Sequence, residues 1–173
     1  MKDITPQGFL RTQLFAMTLG ATVQRNKVYI SSIPDAGRAE FRSALRAALE
    51  SCTDKYLTPL SDAAHEEIIC SIASSLSVSH GHILESGRFR IGTAQKALNL
   101  WLKFLWCANQ LPIQPPHCPF DRIIIQLLPV AVRNYTWTTL DSISEYQALV
   151  AAARQVAGPL SLAQWELRAY NPA

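Results

Sequence analysis

The chain has 173 residues, 49% of them apolar and 17% charged, with a formal net charge of +3. This composition fits one globular domain and excludes a disordered or low-complexity chain. The charge is too small to imply nucleic acid by itself, and no run reaches the roughly 18 apolar residues of a membrane span. Cys52, Cys70, Cys107 and Cys118 form no C-x-x-C pair. Three of them sit in apolar helical patterns and read as small reduced hydrophobes, in a cytoplasmic protein. The apolar patch near the N-terminus is broken by Asp3, Pro6 and Arg11, which is not a signal-peptide layout.

Residues 1–33 are the least regular part. Phe9, Leu10, Leu14, Phe15 and Leu19 suit a short amphipathic helix ending at Gly20. Segments 22–24 and 28–30 flank the turn-like Arg25-Asn26-Lys27, which suits either a small hairpin or an arm packed on the body. A helix over 36–52 then carries Phe41, Leu45 and Leu49 as an i, i+4, i+8 stripe, with Arg38, Arg42 and Arg46 as its solvated flank. A second helix over 59–77 is predicted to start at Thr58 and Pro59. His65 lies near its apolar face and reads as a satisfied core histidine. His80-Gly81-His82 lacks the acidic or cysteine partners of a metal site.

The helix over 92–108 is the most unusual. At 100° per residue, Gly92, Gln95, Lys96, Asn99, Lys103 and Trp106 fall on one narrow polar stripe, and nearly everything else is apolar. A loop with four prolines follows, so it is stiff. It ends at His117 and at Asp121, a capping residue for a short helix beginning at Arg122. Ser142 with Glu145 and Ser161 with Gln164 match capping boxes for two C-terminal helices, the first stopped by Gly158-Pro159 and the second ending near Tyr170. The expected fold is mainly α: a single compact domain over 1–173 with about six helices and a less regular N-terminal segment.

The stiff loop suits a fold-back that brings Gln95, Lys96, Asn99 and Lys103 against His117, Asp121 and Arg122. A lysine beside apolar walls has its charged form disfavoured and becomes a nucleophile; left charged, it anchors phosphate. Asp121 suits a general base or an orienting group. Trp106, on the polar side, suits stacking of a base or anchoring of a protein partner.

Gly92-x-x-x-Lys96-x-x-Asn99, a loop, and Asp121 opening a helix backed by Ile123 and Ile124 resemble the pattern of the helix-hairpin-helix base-excision DNA glycosylases, over residues 88–128. The resemblance implies an all-α fold that binds DNA and flips a base, with Lys96 as nucleophile and Asp121 as catalytic carboxylate. The iron–sulfur cysteines of many members have no counterpart here. No cofactor and no metal are expected. The function expected from the stripe is nucleic-acid binding through a Lys96-centred cleft, and whether the chain is an enzyme is left open. The alternative is a non-enzymatic protein-interaction or homo-oligomerisation domain, for which a mean hydropathy slightly above zero leaves room as a homodimer.

Overall fold

The structure, a computed structural model, describes residues 5–24 and 26–170. Among them are seven α-helices: α1 (Pro6–Val23), α2 (Asp35–Thr53), α3 (Asp62–His80), α4 (Ile91–Cys107), α5 (Arg122–Gln126), α6 (Ile143–Ala157) and α7 (Leu162–Tyr170). The fold is mainly α, and its buried apolar side chains form one core. No described helix is long and apolar enough to cross a membrane.

Helix α4 is the axis of the molecule. It is packed by α1, α2, α3 and α6, and residues 92–102 are buried on every side. A helix surrounded in this way needs an apolar face in more than one direction, which is why its polar stripe is so narrow. Its start is pinned where the Gly92 N–H donates to Leu140 O at 2.8 Å. A β-carbon at Gly92 would collide with the Trp137 carbonyl oxygen, so glycine is what allows this approach. The Trp101 indole N–H donates to Thr53 Oγ1 at 3.0 Å and ties α4 to the end of α2.

The N-terminal segment is more regular than expected. Helix α1 runs through Gly20 to Val23, capped by Thr5, whose side chain accepts from Gly8 N. Leu14, Phe15, Thr18 and Thr22 face the core. The two buried hydroxyls are satisfied within the helix, Thr18 donating to Leu14 O at 2.9 Å and Thr22 to Thr18 O at 2.7 Å. The hairpin does not form, because 22 and 23 belong to the helix. Instead Ile30 N donates to Ile83 O and Glu85 N to Val28 O, a single bridge to a segment far along the chain.

Helix α3 starts later than the Thr58-Pro59 signal implied. Ser61 is its cap, accepting from Ala64 N at 3.2 Å, and a 3-10 turn over Asp54–Leu57 fills the gap. Among the later caps, Asp121 accepts from Ile123 N and Ile124 N as expected, whereas Ser142 accepts from Ser144 N in place of the expected box with Glu145. Ser161 and Gln164 bond each other reciprocally. Gly158, at φ 59°, ends α6 in a conformation glycine favours.

Candidate functional site

The polar stripe of α4 faces inward. The loop over 109–121 folds back across it, with His117, Cys118, Pro119 and Phe120 buried. Gln95 is the hinge of that contact. Its amide nitrogen donates to Phe120 O at 2.8 Å and its amide oxygen accepts from Phe120 N at 3.2 Å. The side chain thus stands in for a peptide partner and satisfies a stretch of loop backbone that has no ladder of its own.

Asn99, one turn on, begins a continuous chain of hydrogen bonds. Its Nδ2 donates to Gln95 Oε1 at 3.3 Å and to the Tyr146 hydroxyl at 3.2 Å, and its Oδ1 lies 3.0 Å from His65 Nε2. An amide oxygen only accepts, so the His65 proton is on Nε2, and Nδ1 accepts from the Tyr56 hydroxyl at 2.8 Å. Tyr146 receives Asn99 and therefore gives its own proton to His117 Nδ1 at 2.7 Å. That leaves the His117 proton on Nε2, 3.2 Å from Asp62 Oδ1 but without a well-aligned hydrogen bond. Asp62 is half exposed and clamped by Arg154 through two bonds of 2.7 and 2.8 Å. The hydrogen-bonded chain runs from the buried Tyr56 to His117, whose Nε2 faces the surface pair Asp62–Arg154.

Burial sets the protonation of this chain. The two histidine rings are 4.6 Å apart, edge to face. Burial, and then the neighbouring His117, lower His65 to about 3, so it is neutral. Burial also lowers His117, with Asp62 pulling the other way. Burial raises the Tyr56 and Tyr146 phenols, which keep their protons.

The outer half of the stripe is ionic. Lys96 is 7% exposed. Its Nζ lies 3.8 Å from Asp121 Oδ2 and 4.1 Å from the centre of the Trp137 ring. Asp121 Oδ2 also accepts from the Tyr170 hydroxyl at 2.7 Å. Lys103 donates to Glu166 Oε1 at 2.8 Å and lies 4.8 Å from the centre of the Tyr170 ring. Glu166 is 1% exposed, and its carboxyl is raised by burial against the pull of Lys103.

The fold-back brings together Gln95, Lys96, Asn99, Lys103, His117 and Asp121. Arg122 does not join them; it is exposed. Trp106 is half-buried against the core and is not an open stacking platform. The sequence reading missed Tyr56, Tyr146, Asp62, Arg154, Glu166 and Tyr170. Tyr146 had one signal, a phenol placed on an otherwise apolar helix face; the others reach the seam only through tertiary packing. The result is a filled polar interior and not an open cleft. Trp137 and Tyr170 cover the lysines, and nearly every donor in the hydrogen-bonded chain is spent on a protein acceptor.

An open concavity lies elsewhere, between α2 and α3, and has a volume of about 520 Å³. Small residues make it: Ala48 and Ser51 on α2 face Ala64, Ser71 and Ser75 on α3, so the two helices cannot fill the space between them. Cys52, Ile68 and Ile72 give it an apolar floor, and among the described residues Lys55 and Glu67 are its charged lining. Burial raises the Cys52 thiol to about 11, so that part of the floor is a protonated, unreactive sulfur. No protein-family model, no curated protein and no solved structure matches the chain.

Proposed function

We propose that this chain is a non-enzymatic protein-interaction domain that holds an amphipathic helix in the α2–α3 groove. The observation that carries this reading is the contrast between the α4 stripe and the groove. The α4 stripe is closed and internally paired, whereas the groove is open, apolar at the base and walled by small residues. Helix-in-groove recognition uses such a surface, with large apolar side chains at i, i+3, i+4 and i+7 filling it.

The nucleic-acid reading, and with it the glycosylase resemblance, has less support. A phosphate anchor must be reached by its phosphate and a nucleophile by its sugar. The Lys96 ammonium lies over the Trp137 ring and near Asp121, and Lys103 is paired with Glu166.

A phage-displayed library of amphipathic helices, panned on the full chain, tests the proposal. Selected sequences are expected to carry helical apolar spacing and to lose binding to Ser71→Trp, which fills the groove from an exposed position. Binding should change little with salt. Helical binders indifferent to Ser71→Trp would overturn the reading. So would steeply salt-dependent binding of single-stranded DNA that Lys96→Ala weakens while the variant stays folded.

A further inference from the structure

We infer that the occupant of the groove is the outer face of α1 from a second copy of this chain. The inference rests on the helix-docking reading and names its partner.

Helix α1 is apolar on both sides. Its inner side is core, yet Phe9 is 66% exposed, Met17 55% and Leu10 38%. The outward stripe Phe9, Gln13, Ala16 and Met17 follows the i, i+4, i+7, i+8 spacing and contains no charge. Arg11 is the one charged residue in the helix, and it is turned to Gln110, to which its Nε donates at 2.9 Å. Large apolar side chains left together on one exposed helix face mark a contact surface.

The two surfaces match in size, shape and charge. The α3 wall, residues 64–75, is roughly 16 Å long, and the exposed run 9–17 rises roughly 12 Å, both at 1.5 Å per residue. Large side chains stand on α1 and small ones wall the groove. The uncharged stripe brings no like charge against the groove's single lysine and single glutamate. A second exposed apolar group, Ile123, Leu127 and Val130, fits less well. It stands beside the exposed Arg122 and Arg133, and its helix has five residues.

Placement on the fold allows a closed pair. Arg46 on one flank of α2 reaches Thr12 and the Phe15 ring of α1, while Ala48 and Ser51 on the opposite flank wall the groove. Each copy therefore carries helix and groove on either side of α2. A two-fold axis lets each α1 enter the other copy's groove, so both contacts form together.

Sedimentation velocity on the full chain tests this, with Met17→Glu on the stripe and Ser71→Trp in the groove. The parent is expected to dimerise. Each variant alone should raise the dimer dissociation constant about tenfold or more. An equimolar mixture of the two variants should recover dimer, because one intact helix then meets one intact groove. Selected helical peptides should bind Met17→Glu more tightly than the parent, whose groove is occupied. A parent that stays monomeric at high concentration overturns the inference, as does a dimer that survives both substitutions or a mixture that recovers nothing. If the parent is monomeric while helical peptides still bind in a Ser71-dependent way, the self-docking fails and the helix-docking reading stands.

Discussion

Helices α4 and α1 pack against each other, and each departs from the usual rule of burial in the opposite direction. Helix α4 takes two amides and a lysine into the interior: Gln95 and Asn99 are fully buried, and Lys96 nearly so. Helix α1 leaves a phenylalanine, a leucine and a methionine outside. The difference teaches that partners, and not polarity, decide what is buried. Gln95 and Asn99 are stable inside because Phe120, His65 and Tyr146 receive and supply their hydrogen bonds. The outer stripe of α1 has no such partner within its own fold.

The contrast is most severely tested at Gly92. Gly92→Ala forces a β-carbon onto the Trp137 carbonyl, a backbone atom that cannot rotate away. The variant is expected to lose about 3 kcal/mol or more in chemical denaturation, or not to fold. Asn99→Leu keeps the branched shape but strands the His65 Nε2–H and takes one of two donors from Gln95 Oε1, which keeps Phe120 N. A loss of about 2–3 kcal/mol is expected; a variant as stable as the parent would show that the amide chain contributes only shape.

Acid probes the same interior. His65 is held at about 3 in the folded protein, against about 6.5 when unfolded. A histidine depressed in this way takes up its proton on unfolding. Its contribution to stability is therefore complete above the unfolded value and drains as pH falls through the window between them. The slope is about 1.4 kcal/mol per pH unit for one histidine. His117 is lowered too and adds in the same sense. Urea midpoints measured between neutral pH and the acid limb should show this slope, and His65→Gln should flatten it.

The smallest effect belongs to α1. Met17→Gln, measured at a dilution where any dimer has dissociated, should change stability by no more than about 0.5 kcal/mol, as for an exposed site. A large loss would mean that the stripe belongs to the monomer's own packing, and the contrast between the helices would vanish.

Much of this fold was legible because it is written in local chemistry. The Phe41, Leu45 and Leu49 stripe, the caps at Asp121 and Ser161 and the Gly158 stop depend on neighbours within a few residues. The polar stripe of α4 and its meeting with His117 and Asp121 could also be read, since a stiff loop restricts where it can return. Its closure could not. A helical wheel gives the angle between residues but not what stands opposite them, and Trp137, Tyr170 and Glu166 come from three distant segments. The N-terminal hairpin failed for a similar reason. A turn signal at 25–27 favours local pairing, but α1 continues through 22 and 23, and 28–30 pairs with 83–85 instead. The start of α3 offered two capping residues within four positions, and the 3-10 turn before it left the second in place.

The close approach at Gly92 also bears on ancestry. Cores accept many apolar combinations and surfaces drift, so distant descendants of one chain can lose most recognisable identity. A carbonyl resting where a side chain would begin cannot drift in this way. Any protein that inherits this helix start must keep glycine there or reshape the segment around Trp137. A glycine one residue into an apolar helix, with Gln, Lys and Asn three, four and seven positions later, is thus a signature by which lost kin of this chain can be found.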